Sequence, residues 1–337
     1  MRVSPSKLRV EDRLNGGQAV RVILVSVVVL AGAEALAQSE GYPHKPVRLV
    51  VPFPPGGSVD LVGRLVGTRH AQILGQQVII DNRSGASGRI GMELLARAAP
   101  DGYTIGVNTL PLVTNGFMYS RVPYDVLNDF APLALLSTSA SVLTVHPSVP
   151  AHSVRELLQL AKSRPGTLNY GSAGVGTNPH IAGELFNLLG KVNIVAVQFK
   201  GGGPALLAAI GGEVGVTVTS ISETMPYVEG KRLRALGVTS LQRSAVMPQV
   251  PTIAETLPGY EFSTWQGMLA PRDTPRAIVV LLNEKIRQVL RAPDFARQFE
   301  QRGLEVIASS PEEFASHLRS EVAKWGRVIK ERGMRAD

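Results

Sequence analysis

The chain has 337 residues, no cysteine, 5% aromatic residues and a formal net charge of +8. Without thiols it can have no disulfide, thiolate nucleophile or thiolate metal site. Its Lys and Arg residues are scattered without a run of four and aromatics are few, so the basic surplus reads as a solvated surface with slight attraction for anions, and nucleic-acid binding is excluded.

The N-terminus reads as a targeting segment. A basic stretch containing Arg2, Lys7, Arg9, Arg13 and Arg21 precedes an apolar run, Val22 to Ala33, and Ala35-Leu36-Ala37 has the small-x-small form of a cleavage site. The apolar run is shorter than the ~20 residues that span a bilayer, so residues 1–37 are expected to be a signal peptide cut after Ala37. The remainder is long enough for two lobes, each with its own core.

Short apolar strands and helical patterns then alternate, the mark of an α/β chain with mostly parallel sheets covered by helices. The expected strands are 47–53, 78–81, 104–108, 133–136, 142–145, 168–171, 194–199, 214–219, 233–239 and 264–270. The expected helices are 58–74, 88–97, 154–163, 179–189, 204–210, 275–290, 293–301 and 311–331. Several of these helices begin at or near a proline, whose missing N–H costs nothing in the first turn. Two proline-bounded stretches, 143–150 and 258–271, read as crossings between lobes. They divide the chain into a first lobe of 42–143 plus 261–337 and a second of 144–260, with a cleft that a ligand would close by a hinge.

Three glycine-rich turns join a strand to a helix. In VPFPPGGSVD, Val51 to Asp60, prolines stop the strand and Gly56 and Gly57 free the backbone immediately before a helix N-terminus, a natural anion site. Asp60, in the first turn, is a candidate base, although a carboxylate there more often caps its own helix. In NYGSAGVGTNPH, Asn169 to His180, three glycines loosen the backbone while Ser172, Thr177 and Asn178 offer hydroxyl and amide groups. It lacks the P-loop lysine and the full dinucleotide glycine pattern. The third turn, Phe199 to Pro204, brings Lys200, a candidate partner for an anion. Thr109 stands at the C-terminal end of a strand, where open α/β sheets bind ligands.

Catalytic patterns are absent. No G-x-S-x-G elbow occurs around Ser87 or Ser172, and the six histidines show no metal-ligand spacing; only His180, beside the second loop, stands near a candidate site. No cofactor, metal or catalytic residue is expected.

The stretches YPHKPVRLVVPFPPGGSVD (42–60), DNRSGASGRIG (81–91), APDGYTIGVNT (99–109), NYGSAGVGTNPH (169–180), FKGGGPAL (199–206) and W-x-G-x-x-A-P (265–271), in this order, resemble the periplasmic solute-binding proteins of tripartite tricarboxylate transporters, the Bug proteins. The resemblance covers nearly all of the chain after the leader. It implies a two-lobed, type II periplasmic-binding (Venus flytrap) fold, no enzymatic activity, and delivery of a small mono-, di- or tricarboxylate or aromatic acid to a membrane permease, by a monomer in the periplasm. The implied ligand-binding residues are Pro55, Gly56, Gly57, Ser58 and Asp60 in the first loop and Ala173, Gly174, Gly176, Thr177 and Asn178 in the second. Lys200 and Gly201 match a further family turn, and Thr109, from its strand end, and Ser220, where the chain departs from the family, complete the candidate set. Phe199 replaces the tyrosine of the family's Tyr-Lys-Gly turn. Where members commonly carry Val-Asp and then Asp-Asn, this chain has Gly215, Thr219 and Ser220. An acidic group that could face an amine is thus expected to be missing, which favours a fully anionic dicarboxylate or aromatic acid over an amino acid. The alternatives are an exported α/β hydrolase or lyase using Lys200 or Asp60 on a carboxylate, and a chemosensory binding component.

Overall fold

A computed structural model describes residues 41–332, 334 and 335. The signal peptide expected at 1–37 and its cleavage after Ala37 lie outside the described residues. From Pro43 onward the chain forms one compact unit. Among the described residues no helix is long and apolar enough to cross a membrane.

In chain order the elements are β1 (Val47–Val51), α1 (Ser58–Leu74), β2 (Val78–Asn82), a 3₁₀ turn (Ala86–Gly88), α2 (Arg89–Ala96), β3 (Thr104–Asn108), α3 (Pro111–Met118), β4 (Phe130–Val145), α4 (Val154–Ser163) and β5 (Asn169–Ser172). They continue with α5 (Asn178–Gly190), β6 (Val195–Gln198), α6 (Gly202–Gly211), β7 (Val216–Ser220), α7 (Ile221–Glu229), β8 (Arg234–Val238) and a 3₁₀ turn (Ile253–Glu255). The last are β9 (Ser263–Pro271), α8 (Arg276–Arg291), α9 (Pro293–Glu300), β10 (Glu305–Val306) and α10 (Pro311–Arg332).

The strands make a 10-stranded sheet in the order β2-β1-β3-β9-β4-β7-β5-β6, with β8 and β10 also paired to β4. Its flanks, β2-β1-β3 and β7-β5-β6, are parallel, as the βα alternation requires. Its centre is antiparallel, because β4 and β9 run against their neighbours. β4 pairs with β9 from Phe130 to Ala140, and from Ser141 to Val145 it pairs with β7. One long strand therefore joins the two parts of the sheet.

That strand was expected as two pieces, because the polar Ser137-Thr138-Ser139 stretch breaks the apolar pattern. The structure buries Ser137, Ser139 and Ser141 and gives the first two hydroxyl or amide partners, Gln266 Oε1 for Ser137 (2.9 Å) and Thr264 Oγ1 for Ser139 (2.8 Å). A buried hydroxyl with a partner fits a central strand as well as a valine does. β1 ends at Val51, short of the expected Phe53, because Pro52 has no ladder donor.

Helices lie on the sheet through small residues. A Cβ on Gly67 of α1 would stand 3.0 Å from Ile80 Cδ1, and one on Gly183 of α5 would stand 2.5 Å from the Tyr170 ring. These close approaches bring the strand C-terminal ends and the helix N-termini to the same edge of the sheet, where the βα loops gather.

Candidate functional site

The two glycine-rich loops, 120 residues apart in sequence, meet in one pocket. It is lined by Phe53, Gly57, Ser58, Val59, Thr109, Pro111, Ser141, Ala173, Thr177, Asn178, Pro179, Gly202, Thr219, Ser220, Glu223 and Thr264, and encloses about 500 Å³ with its open mouth included. α1, α3, α5, α6 and α7 all begin at its wall, and none of them has a side-chain cap at its N-terminus. First-turn amides and the positive ends of several helix dipoles therefore converge on one space. No Lys, Arg or His side chain lines it, so an anion held there is held by neutral donors.

Of the residues expected from the sequence, Gly57, Ser58, Thr109, Ala173, Thr177, Asn178 and Ser220 form the pocket wall. Gly174, Lys200 and Gly201 line an adjoining recess that shares Phe53 and Ala173 with it. Pro55, Gly56, Asp60 and Gly176 line neither space: Pro55 and Gly56 are exposed, Asp60 and Gly176 buried. Gly176 backs onto Thr114 and Asn115 of α3, and its φ of +76°, like the +122° of Gly174, is one that side-chain-bearing residues avoid.

Asp60 is 3% exposed and fully engaged. It accepts from the Gly56 amide (3.0 Å), Asn82 Nδ2 (2.9 Å) and Arg64 Nε (2.9 Å). Burial alone would raise its carboxyl, but the hydrogen bonds from Arg64, Asn82 and Gly56 and the Arg64 charge outweigh that and hold it below the ordinary carboxylate range. Asn82 Nδ2 also donates to the Phe53 carbonyl (2.9 Å), so Asp60 fixes the shape of the first loop. A carboxylate tied up in this way is no free general base.

The second glycine-rich loop is tied to residues of the first 120 positions. Ser87 Oγ donates to the Val175 carbonyl (2.7 Å), Thr114 Oγ1 donates to the Gly176 carbonyl (2.6 Å), and Asn178 Nδ2 donates to Thr109 Oγ1 (3.1 Å). Within the second loop, Thr177 Oγ1 donates to the Gly174 carbonyl (2.6 Å), which sets the turn that opens α5. His180, the one histidine beside a candidate site, accepts from the Gly176 amide at Nδ1 (3.3 Å), and burial lowers its pKa against the opposing pull of Glu184. It is a structural part of the loop. Among the described residues no group of His, Asp and Glu is arranged to hold a metal.

Phe53, Val59, Pro111, Ser141, Pro179, Gly202, Thr219, Glu223 and Thr264 also line the pocket and were not expected from the sequence, and Glu223 corrects the expectation that the site lacks an acidic group. Glu223, in the first turn of α7, is a wall of the pocket, and its Oε1 accepts the Ser58 backbone amide at the start of α1. A Cβ built on Gly202, the first residue of α6, would lie 3.4 Å from its Oε2. The carboxylate thus sits between the N-termini of α1 and α6. Withdrawal from water pushes its pKa above the ordinary carboxylate value, with hydrogen bonds from Ser58 pulling the other way. The miss has a plain cause. α7 reads ISETMPYVE, short and interrupted by Pro226, and carries no apolar periodicity that would mark it as a helix.

Comparison with known proteins gives a consistent picture. Residues 62–334 match the family model described as tripartite tricarboxylate transporter family receptor. Protein BugT of Bordetella pertussis is 32% identical over 309 residues, covering 91% of this chain and 95% of BugT. Among solved structures, Rpa4515 of R. palustris with adipate superposes with a TM-score of 0.85 at 36% identity, covering 87% of this chain and 98% of that one. MatC from Rhodopseudomonas palustris with bound malate gives 0.82 at 32% identity, covering 86% of this chain and all (100%) of that one.

Proposed function

The chain belongs to the family of tripartite tricarboxylate transporter receptors, and we propose that its pocket holds a small carboxylate between the two loops for delivery to the membrane permease of such a transporter. It is a periplasmic solute-binding protein of the Bug type, and the family is one of receptors, not enzymes. The observation that carries the ligand class is the convergence of helix N-termini, those of α3 and α5 without a side-chain cap, and buried hydroxyls on a space without a basic side chain. Such a lining suits a carboxylate, which main-chain amides and hydroxyls solvate without a buried ion pair. Adipate and malate in the related structures support the same class.

Ala173, Asn178 and Thr109 are the donors we assign to the ligand carboxylate, with Thr177 setting the turn that presents them and Gly57, Ser58 and Ser220 shaping the opposite wall. Gly174, Lys200 and Gly201 border the mouth, and Pro55, Gly56, Asp60 and Gly176 hold the loops that present the donors. The lobes are taken as 42–143 plus 261–337 and 144–260. The partner change of β4 between Ala140 and Ser141 supports a hinge in that strand and in its neighbour β9. Ligand draws the lobes together, and the closed monomer is what the permease recognises. The leader is removed after Ala37.

A thermal-shift screen of mono-, di- and tricarboxylates and aromatic acids on the protein beginning at Gln38 tests this reading. At least one carboxylate is expected to raise the melting temperature in a saturable way, without turnover. A screen in which no carboxylate stabilises the protein, or one in which the stabilising acid is consumed, contradicts it.

A further inference from the structure

We infer that Glu223 makes this pocket selective for a carboxylate with a single anionic end, whose other end presents a hydrogen-bond donor, a hydroxyl, amide N–H or ammonium, to Glu223. The inference rests on the carboxylate-binding reading above and adds what the rest of the ligand must be.

The argument is one of position and charge. Glu223 reaches into the pocket from α7 and takes the Ser58 amide, and Gly57 and Gly202, which open α1 and α6, flank it on both sides. The Ser58 amide at the α1 N-terminus is therefore already served by a carboxylate that belongs to the protein, and the same carboxylate stands against the start of α6. The other end of the pocket is different. There Ala173, Thr177, Asn178 and Thr109 gather at the starts of α5 and α3 without an acidic side chain among them; Thr177 is engaged with the Gly174 carbonyl and the Thr109 amide with Asn108 Oδ1, which leaves the Ala173 amide, the second Nδ2 hydrogen of Asn178 and the Thr109 hydroxyl hydrogen for an incoming carboxylate.

A dianion of pocket length that placed one carboxylate at the α5 end would bring its second toward Glu223, with no Lys, Arg or His in the lining to separate the two. Like charges facing each other in a partly desolvated site are strongly unfavourable. A hydroxyl or ammonium in the same place gives Glu223 a donor and removes the repulsion, and a site that hydrogen-bonds a substrate group discriminates sharply against analogues lacking it. Lys200 lines the adjoining recess, outside the pocket, and Asp60 and Arg64 neutralise each other on α1.

The test compares ligands of equal length that differ only at the far end: succinate with 4-aminobutanoate, and adipate with 6-aminohexanoate and 6-hydroxyhexanoate, by calorimetry on the wild type and on Glu223→Gln. In the wild type the donor-ended member of at least one set is expected to bind tenfold or more tightly than the dianion. In Glu223→Gln, which keeps the shape and removes the charge, that ratio is expected to collapse toward one, chiefly by gain of dianion affinity. The wild-type ratios stand even where the variant folds poorly. Binding of succinate or adipate at least as tight as that of the donor-ended partners overturns the assignment while leaving the carboxylate site intact, and Lys200→Gln then shows whether the second carboxylate has gone to the recess. A ratio that survives Glu223→Gln also overturns it. Silence from every acid in both sets counts against the pocket as a carboxylate site at all.

Discussion

Replacing Asp60 with alanine separates a loop-shaping carboxylate from a ligand-contacting one. The substitution strips an acceptor from the Gly56 amide (3.0 Å), Asn82 Nδ2 (2.9 Å) and Arg64 Nε (2.9 Å). A hydrogen bond to a charged acceptor contributes ~1.5–3 kcal/mol, but these three losses do not add. The Gly56 amide is exposed and turns to water, the Arg64 side chain is 48% exposed and does the same, and Asn82 Nδ2 keeps the Phe53 carbonyl at 2.9 Å. What remains is roughly one charged hydrogen bond plus the favourable charge at the α1 N-terminus, worth about 0.3–1 kcal/mol. The expected destabilisation is therefore about 2–3 kcal/mol, or a fall of about 3–5 °C in melting temperature for a protein of this size. Calorimetric melts with and without a stabilising carboxylate provide the assay. The variant should melt lower in both states and still respond to ligand, more weakly because the 54–58 loop is loosened. The pH profile sharpens the comparison. The folded pKa of Asp60 is depressed, so its contribution is present above the ordinary carboxylate value and is lost as pH falls through the folded one, and the gap between wild type and variant should close in acid. An unchanged ligand-free melting temperature with abolished ligand response would refute this reasoning, since it would mean that Asp60 meets the ligand rather than the loop.

Three further substitutions or titrations probe other parts of the structure. Thr177→Val removes the 2.6 Å hydrogen bond to the Gly174 carbonyl and a hydroxyl from the pocket wall, so it should abolish the ligand-induced melting shift at a cost of only about 1 kcal/mol to the ligand-free protein, both read from the same melts. Gly267→Ala would place a Cβ 2.0 Å from Phe314 Cζ, at the packing of α10 on β9, and should lower stability by about 1–3 kcal/mol in denaturant titrations without altering ligand selectivity. His70 has no solvent exposure and neither ring nitrogen has a partner; burial, with Lys285 adding to it, lowers its pKa to about 4. Because the folded value is depressed, the unfolded chain binds the proton first. Stability is complete above the ordinary histidine pKa and falls as pH drops toward 4, by up to about 3 kcal/mol, and His70→Leu should flatten that limb of the denaturation profile.

The architecture was legible wherever periodicity and punctuation agree. α1 and α4 have the bounds their sequence patterns predict, 58–74 and 154–163, since each carries a clean apolar stripe, and α4 has the Ser153 cap, whose Oγ accepts the Glu156 amide at 3.2 Å. Strand ends and helix starts marked each glycine-rich loop singly, the resemblance implied that they share a site, and Gly57, Ser58, Ala173, Thr177 and Asn178 do line one pocket. Legibility failed where burial is decided by tertiary partners. α3, Pro111–Met118, is buried on nearly every side and so has no polar face to betray a helix. The serines of β4 look like a loop until Gln266 and Thr264 are brought beside them. Glu223 is the functional case. Its place beside Ser58 depends on α7 folding back across 165 residues of chain, a contact no local pattern contains.

Backbone amide chemical shifts report the central claim most directly. In ¹⁵N-labelled protein titrated with a stabilising carboxylate, the amides of Ala173, Thr177, Asn178 and Thr109 should shift together and saturate at one dissociation constant, with Ser58 following as the cleft closes. Saturating shifts confined to residues outside the pocket, with these amides unmoved, would contradict the account.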